Sequence, residues 1–366
     1  MPAIVSVQRC IPKYQMEQQE TEEIVRELFA EAFPDIDRLL RIFRNGQIEK
    51  RHFVVPKEWF QEEHSFEAKN QLYMKEAVSL GTKAVQRCLN NRAHLMRPIK
   101  PEEVDAIFFV SSTGLATPSI EARIMNLLPF SPHTKRIPLW GLGCAGGGAG
   151  ISRAYEYCLA FPDAKVLVLC IELCSLTFQH KDTSKSNLVG TSLFADGVAC
   201  ALVVGDDVVK KSDTVTTGAV PFITGTQTTL MPRSEDVMGW EVKNSGLHVI
   251  FSRDIPSIID QWLKPNVDSF LQKHGYALKD ITHFVAHPGG KKVIDAYEAG
   301  LSLPEGLTMF SKNVLKQFGN MSSPTVLYVL QETMSAVPAE GSIGLMTALG
   351  PGFSSELVLL HWREAN

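Results

Sequence analysis

A single cysteine inside a glycine cluster is the first feature of the sequence that could perform chemistry. Cys144 lies in WGLGCAGGGAG (140–150), directly before a segment that is predicted to be a helix. Glycines let the backbone turn sharply and let a ligand approach closely, and a helix N-terminus directs the positive end of its dipole toward the preceding side chain. Because that dipole and a cationic neighbour both lower the pKa of a thiol, we expect Cys144 to be a nucleophile that forms thioesters. A structural cysteine at a tight turn is the alternative for this residue taken alone.

A histidine and an asparagine elsewhere in the chain could assist such a nucleophile. His287 ends the apolar run in ITHFVAHPGG (281–290), where an imidazole would project into a cleft, and Asn320 lies in FGNMSSP (318–324). Taken alone, His287 could be a core histidine and Asn320 a helix N-cap. Together with Cys144 they predict one active site. Papain-like proteases use the same residue types in the same order, but the protease pattern C-G-[SA]-C-[WY] is absent, so hydrolysis is kept only as an alternative.

The elements that carry these residues form a pattern that occurs twice. In each half an apolar strand is followed by a turn with a polar residue, a helix and a second apolar strand. These parts are 104–114, Cys144, 147–160 and 165–173 in the first half, and 281–290, Asn320, 322–335 and 342–352 in the second. Continuous apolar strands alternating with helices predict sheets covered on both faces. We therefore expect an α/β fold with an internal duplication, in which half 1–210 carries the cysteine and half 211–366 carries the histidine and the asparagine.

The composition argues against several other classes of function. The 366 residues are 45% hydrophobic with a formal net charge of -4, so no nucleic-acid partner is expected. Seven cysteines without a CxxC pair are typical of a reduced, cytoplasmic protein. The sequence shows no signal-peptide pattern, and no stretch reaches the ~18 apolar residues of a membrane span. Because no HExxH or CxxC pattern indicates a metal site and the glycines are interpreted as serving the thiol, we expect no metal and no bound cofactor.

Five motifs, GLGCAGG, LFADG, VAHPGG, GNMSSPT and LGPGFSSE, occur in the order and spacing of one known family. On these motifs the chain resembles, over its whole length, the type III polyketide synthases of the chalcone synthase superfamily. The resemblance implies the thiolase fold, with two duplicated halves in five αβαβα layers, and a homodimer. It also implies an acyltransferase that joins malonyl-CoA to an acyl-CoA starter by decarboxylative Claisen condensation, with the CoA thioesters as substrates rather than cofactors.

The resemblance implies roles for four residues. Cys144 would carry the growing acyl chain, and His287, as imidazolium, would hold its thiolate. His287 and Asn320 would donate hydrogen bonds to the enolate oxygen that develops as malonyl-CoA loses carbon dioxide, and losing one such donor typically costs ~10²–10³ in rate. Phe194, in LFADG, would stand between the CoA tunnel and the cavity and help to exclude water.

A second set of residues is expected to bind the substrates. The stretch DIDRLLRIFRNGQIEKR (35–51) predicts an amphipathic helix with apolar residues inward and three arginines on one outer face. The inward residues are Ile36, Leu39, Leu40 and Phe43, and the arginines are Arg38, Arg41 and Arg44. By resemblance, Arg38 and Arg41 match residues that bind the CoA phosphates, whereas Asn45 occupies the family's third basic position. The family's cavity-lining positions carry Cys174, Thr177, Gly190, Trp240, Val249 and Ser322. Thr117 matches the residue that reaches into the cavity of the partner subunit.

Within the family, the chain most resembles bacterial, Bacillus-type members that extend long-chain fatty acyl-CoA starters into alkylpyrones or alkylresorcinols. We therefore expect a tunnel that leads away from Cys144 and is deep enough for an alkyl chain. The alternatives are a type III polyketide synthase with an aromatic product, a ketoacyl synthase III that condenses once onto acyl carrier protein, and a thiol hydrolase. VAHPGG and LFADG favour the polyketide branch. A non-catalytic binding protein would most simply have lost Cys144, His287 or Asn320.

Overall fold

The secondary structure of the protein alternates between strands and helices along the whole chain. The computed structural model describes the chain except residues 34, 212, 217, 252–254 and 366, with the backbone alone at residue 256. The strands are β1 (Ala3–Cys10), β2 (Tyr14–Glu17), β3 (Lys50–Phe53), β4 (Ala106–Val110), β5 (Lys135–Leu139), β6 (Lys165–Leu173), β7 (Asp196–Val204), β8 (Ala219–Leu230), β9 (Met238–Lys243), β10 (Gly246–Phe251), β11 (His283–Ala286), β12 (Ile343–Gly350) and β13 (Ser354–Glu364).

The helices range from single turns to the 24-residue α4. They are α1 (Gln18–Phe29), α2 (Ile36–Leu39), α3 (Arg41–Asn45), α4 (Phe66–Leu89), α5 (Ile120–Met125), α6 (Gly146–Ala160), α7 (Lys185–Leu193), α8 (Asp206–Val209), α9 (Ile255–Ile258), α10 (Lys264–Lys273), α11 (Lys291–Gly300), α12 (Met309–Phe318) and α13 (Ser323–Ser335). Short 3₁₀ turns occur at Lys57–Gln61, Pro101–Glu103, Gly143–Ala145, Cys174–Thr177 and Leu278–Asp280, and a π-helical turn, Ile259–Leu263, joins α9 to α10. No helix in the described part of the chain is long and apolar enough to cross a membrane.

Nine strands form one sheet in the order β11-β12-β13-β8-β1-β7-β6-β4-β5. In the first half β4 is parallel to β6, and antiparallel pairings then link β6 to β7 and β7 to β1. In the second half β11 is parallel to β12, and antiparallel pairings link β12 to β13 and β13 to β8. The halves meet where Ala3 of β1 lies opposite Phe222 of β8. The same series of pairings in both halves confirms the predicted duplication.

The strands are covered on both faces because successive side chains point to opposite sides of a strand. In the second half, one face joins the core that includes α10, through Leu345, Leu357 and Leu359. The other face joins the core that includes α13, through Met346, Val358 and Leu360. Helices α6 and α13 contact each other and strands of both halves, and α4 covers β1, β6 and β7. The order α4, first-half strands, α6 with α13, second-half strands, α10 is the five-layered thiolase fold.

The structure agrees with most predicted elements and corrects one of them. The predicted helices 147–160 and 322–335 are α6 and α13, and the apolar strand 165–173 is β6. The single amphipathic helix predicted over 35–51 is wrong, because the chain forms α2 and α3 and then enters β3, which pairs with β2. The inward residues are nevertheless buried as expected, except Leu39, which is half-buried. The boundary between residues 210 and 211 stays a prediction.

Candidate active site

Cys144 lies in the 3₁₀ turn Gly143–Ala145 that leads directly into α6. The glycines of this segment bring α6 close to its neighbours. A side chain at Gly147 would place its Cβ 2.3 Å from the carbonyl oxygen of Ser323, the first residue of α13. Gly143 has a φ of +47° and faces Pro351 with no space for a Cβ. The glycine cluster therefore lets the two central helices meet beneath the thiol.

Asn320 lies beside the thiol at the equivalent turn of the second half. Its Oδ1 is 3.8 Å from Sγ of Cys144 and accepts a hydrogen bond of 2.8 Å from the backbone N–H of Ser322. Its Nδ2 donates to the carbonyl oxygen of Gly289 at 3.0 Å. Ser322 has a φ of +59°, a conformation that L-residues adopt rarely and that often marks functional sites. The Asn320 side chain is thus held by three partners, and one of its two amide N–H bonds stays available for a ligand.

His287 follows β11 and is fixed by its backbone N–H, which donates to the carbonyl oxygen of Thr347 at 2.8 Å. Its ring is buried, and neither ring nitrogen has a hydrogen-bond partner among the described residues. A Cβ on Gly289 would lie 3.8 Å from Nε2 of His287, and the same glycine accepts the hydrogen bond from Asn320. The structure therefore brings Cys144 and Asn320 into contact, and Gly289 connects Asn320 to His287.

Burial dominates the pKa values of the thiol and the imidazole. It raises the pKa of the Cys144 thiol to about 11, and contacts with the Ser322 and Asn320 side chains offset only part of this effect. Burial also lowers the pKa of His287 to about 3. The direction of the Cys144 shift is opposite to the one expected from the helix N-terminus, because desolvation of the thiolate is its largest cause. A thiolate forms here only when a proton moves from sulfur to another group.

A buried carboxyl group beneath the thiol was missed by the sequence analysis. Glu172, on β6, accepts hydrogen bonds from the backbone N–H of Ser112 at 2.9 Å, from Oγ1 of Thr113 at 2.8 Å and from Oγ of Ser323 at 2.9 Å. Burial raises its pKa to about 7. Oγ of Ser112 in turn accepts from the backbone N–H of Gly143 at 3.1 Å. Glu172 thus connects β6 to the start of α13 and, through Ser112, to the turn that carries Cys144. In the sequence, only the presence of an acidic residue inside an apolar strand could have indicated this role.

Arg51 is a second residue that the sequence analysis missed. Its side chain is buried, and Nη1 donates to the carbonyl oxygens of Thr191 at 2.6 Å and Phe194 at 2.7 Å. Burial lowers its pKa to about 9, and the nearby carboxylate of Asp196 opposes that shift. The backbone around Phe194 is also paired with Asn320, through bonds of 2.9 Å in each direction. Arg51 therefore fixes the segment that carries Phe194 and that pairs with Asn320. The sequence analysis missed this role because it predicted that Arg51 ends an amphipathic helix.

An apolar cavity with about 570 Å³ of empty space, part of it open to solvent, lies beside this site. Five of the six predicted lining residues border it, together with Phe194; they are Cys174, Thr177, Gly190, Trp240 and Val249. Ser322 does not border it and lies next to Cys144 instead. The far wall was missed by the sequence analysis and consists mainly of apolar side chains from the segment between β2 and the 3₁₀ turn 57–61. They include Met16, Ile24, Val25, Phe53 and Phe60.

The remaining predicted substrate-binding residues lie at the surface. Arg38 and Arg41 are exposed, and neither forms an ion pair within the described ranges. Arg44 is also exposed, but its guanidinium binds Glu22 with an Nη2–Oε1 distance of 2.8 Å. Thr117 is exposed and does not border the cavity of its own chain. Their roles stay predictions.

Comparisons with known proteins cover the whole chain. The N-terminal domain of chalcone and stilbene synthases matches residues 2–208, and the C-terminal domain matches residues 223–362. A putative chalcone synthase of Bacillus subtilis (strain 168) is 52% identical over 365 residues, which are 100% of both chains. A 1,3,6,8-tetrahydroxynaphthalene synthase of Streptomyces peucetius subsp. caesius is 32% identical over 98% of this chain and 93% of its own.

Solved structures agree with these relatives. The 1,3,6,8-tetrahydroxynaphthalene synthase of Streptomyces coelicolor A3(2), described as a bacterial type III polyketide synthase, superposes with a TM-score of 0.90 at 30% identity over 99% of both chains. PKS-I of the brown alga Ectocarpus siliculosus superposes with a TM-score of 0.88 at 25% identity over 98% of both chains. The chain belongs to the chalcone and stilbene synthase family, the type III polyketide synthases, and is an acyl-transferring condensing enzyme that uses malonyl-CoA.

Proposed function

We propose that the enzyme loads a long-chain fatty acyl group from CoA onto Cys144, extends it with malonyl-CoA and closes the product to an alkylpyrone or an alkylresorcinol. The observation that carries the choice of starter is the apolar cavity beside the cysteine. Its far wall consists mainly of aliphatic and aromatic side chains, and an alkyl chain that is buried there gains ~0.8 kcal/mol for each methylene group removed from water.

In the loading step, Sγ of Cys144 attacks the thioester carbonyl of the acyl-CoA. Because burial disfavours the thiolate, the thiol proton must leave as the new carbon–sulfur bond forms. His287 is the acceptor that we propose, since both of its ring nitrogens are unpartnered among the described residues and its ring lies beside Gly289, whose carbonyl oxygen binds Asn320. The bond to the CoA sulfur then breaks, and the imidazolium returns the proton to that sulfur. CoA leaves as a thiol.

In the extension step, malonyl-CoA loses carbon dioxide and the electron pair of the broken carbon–carbon bond moves toward the thioester oxygen. Hydrogen bonds to that oxygen stabilise the developing enolate. We propose that the donors are the free N–H of the Asn320 amide and a ring N–H of His287. The enolate carbon then attacks the acyl group on Cys144, which forms the new carbon–carbon bond and releases the cysteine sulfur. Phe194, between the site and the cavity, excludes water that would protonate the enolate.

A second candidate function is the formation of an aromatic product from small building blocks. It is favoured by the relatives that are named 1,3,6,8-tetrahydroxynaphthalene synthases, and by a phloroglucinol synthase of Pseudomonas fluorescens that is 26% identical over 96% of this chain. Their names describe products without a long alkyl chain. Trp240 borders the cavity of this protein next to Phe194, with ring centroids 6.0 Å apart. An aromatic product would therefore be formed against these two rings.

The test is a product assay with purified protein. Lauroyl-CoA or palmitoyl-CoA with malonyl-CoA should give an alkylated pyrone or resorcinol by mass spectrometry, and malonyl-CoA alone should give much less product. An aromatic product from malonyl-CoA alone, with no alkylated product from either long starter, would support the second candidate. Strict dependence on malonyl-acyl carrier protein, with a single condensation, would overturn both candidates in favour of ketoacyl synthase chemistry.

Further proposals concern the cellular compartment, the oligomeric state and the residues that bind CoA. We propose that the enzyme acts in the cytoplasm as a homodimer, in which the exposed Thr117 reaches the cavity of the partner subunit. We also propose that Arg38 and Arg41 bind the CoA phosphates, because both guanidinium groups are exposed and suit bidentate contacts to phosphate. Sedimentation of the purified protein tests the dimer, since a monomer at working concentration would contradict it.

A further inference from the structure

We infer that Phe178 sets the greatest length of acyl chain that the cavity accepts. The inference rests on the proposed function, because it assigns the floor of the same cavity. Phe178 follows the 3₁₀ turn Cys174–Thr177, and this turn and Phe178 both border the cavity.

Phe178 separates two spaces of opposite character. It borders both the apolar cavity and an open cleft with about 860 Å³ of empty space. Among the residues that the structure describes, it is the one that borders both spaces. Its ring is half-buried and meets the rings of Phe60 and Phe29 edge-on, with centroids 5.6 and 6.4 Å away. The ring is therefore a partition between the two spaces.

The cleft beyond the partition is unsuitable for an alkyl chain. Its lining includes Lys69, Lys181, Asp182 and His248. The carboxylate of Asp182 lies 3.0 Å from Nδ1 of His248, and its pKa is held below the usual range. Methylene groups that entered this cleft would displace water from charged groups without supplying hydrogen bonds in return. An acyl chain is thus stopped first by the ring and then by the polarity behind it.

The partition is held in place by buried polar contacts. Nζ of Lys69 donates to the carbonyl oxygen of Phe178 at 2.8 Å, and the side chain of Lys69 is itself buried. The next residue, Gln179, donates from Nε2 to the carbonyl oxygen of Leu247 on β10 at 3.0 Å. These bonds join the segment to α4 and to the β9–β10 hairpin. The backbone that carries the Phe178 ring is therefore held from both sides, while the ring itself packs against Phe29 and Phe60.

Truncating Phe178 should free the space that its ring occupies, so that a longer chain can be accommodated before it reaches the charged cleft. Truncation to alanine removes six ring carbon atoms, and the surrounding structure closes only part of the space, so room remains for about four methylene groups. We expect Phe178→Ala to raise the longest efficiently used starter by about four carbon atoms, and the larger Phe178→Trp to lower that limit by about two.

The experiment measures kcat/KM for octanoyl-, lauroyl-, palmitoyl-, stearoyl- and arachidoyl-CoA with the wild-type enzyme and the variants. The control is Phe29→Leu, because Phe29 contacts the ring of Phe178 but is buried away from the cavity. Phe29→Leu should keep the wild-type limit. Thermal unfolding shows whether each variant is folded, and Phe178→Trp, which removes no volume, tests the inference if Phe178→Ala does not fold.

The outcomes separate this inference from the proposed function. If the wild-type enzyme uses long starters but neither Phe178 variant changes the limit, Phe178 is not the floor of the cavity and the inference alone is overturned. An equal shift in Phe29→Leu would also overturn it, because looser packing rather than the partition would then set the limit. If the wild-type enzyme uses no long starter and forms product from malonyl-CoA alone, the proposed function and this inference both fail.

Discussion

The catalytic turns and the cavity wall of this enzyme are built in different ways. Cys144 and Asn320 each precede a central helix, α6 or α13, at equivalent places in the two duplicated halves. The cavity wall comes mainly from segments outside the repeated strands and helices: α1, β2, β3, α7 and the 3₁₀ turns 57–61 and 174–177 in the first half, and the β9–β10 hairpin in the second. The reactive groups thus belong to the duplicated core, whereas the surroundings of the acyl chain belong to its connections.

The two regions also differ in how their side chains are held. Around the thiol, Asn320 and Glu172 each have several hydrogen-bond partners, so their positions are fixed by directional bonds. The cavity wall consists largely of apolar side chains, among them the half-buried rings of Phe178 and Trp240, which pack without directional bonds. This difference indicates that changes in the first region alter the rate of the reaction, whereas changes in the second alter which starter is used.

The largest effect is expected from Cys144→Ala, which removes the proposed nucleophile. Product formation should fall by at least ~10⁴-fold, because a missing nucleophile is not replaced by the other members of a catalytic group. Intact-protein mass spectrometry after incubation with an acyl-CoA should show no acyl adduct. Cys174→Ala is the matched control, since this thiol borders the cavity, and the adduct should persist in it. An adduct on the Cys144→Ala protein would identify another nucleophile.

Asn320→Ala should have the next largest effect, on decarboxylation rather than loading. We expect malonyl-CoA decarboxylation to fall ~10²–10³-fold, the usual cost of one donor to a developing oxyanion. The acyl adduct on Cys144 should still form, because Asn320 is not proposed to act in loading. Asn313→Ala, at an exposed position on α12, should leave both steps unchanged. Equal losses of loading and decarboxylation in Asn320→Ala would mean that the asparagine only supports the site.

Arg51→Met tests the link between the two regions. The change leaves the buried Asp196 without its nearby cation and the carbonyl oxygen of Phe194 without its donor. Because a buried acceptor left without its donor typically costs ~1–3 kcal/mol and two carbonyl oxygens lose theirs, the free energy of unfolding should fall by about 2–4 kcal/mol in a urea titration. Arg51→Lys retains the charge and should lose clearly less. A loss below ~1 kcal/mol in Arg51→Met, within the range of surface ion pairs, would show that Arg51 is not part of the core.

The smallest effect is expected at the surface, from Arg38→Ala and Arg41→Ala. Each should raise KM for malonyl-CoA about three- to five-fold with kcat unchanged, and the effect should shrink at high salt because exposed charges are screened. Arg44→Ala is the control: Arg44 is equally exposed but bound to Glu22, so KM should change little. A larger KM effect from Arg44→Ala than from the other two would reverse the assignment of the phosphate-binding face.

The elements that carry the catalytic turns were predictable because each has a strong local signal. The strand 165–173 and the helices that follow Cys144 and Asn320 agree with the sequence pattern to within one residue at their starts. The prediction failed over 35–51, where the alternation of apolar and basic residues suggested a single helix. There the chain forms two short helices and then enters β3, because pairing of β3 with β2 overrides the local helical preference.

The buried polar residues of the site were harder to predict from the sequence. Glu172 and Arg51 are ordinary charged residues in the sequence, and only their partners from distant segments show that they are buried and bound. The far wall of the cavity was missed for a similar reason. Ile24 lies on a helix whose apolar side would suit any core, and Phe178 lies in a turn, so neither position indicates a ligand by itself.

The sequence by itself determined the family, the duplicated α/β fold and the three reactive residue types, because these depend on local motifs and on periodic apolar runs. The tertiary structure decided the pKa shifts of the site. Burial raises the pKa of Cys144 and lowers that of His287, and burial is a property of the whole fold rather than of any segment. It also decided the limits of the cavity, since Phe178 becomes a partition only when segments far apart in the chain enclose a space on each side of it.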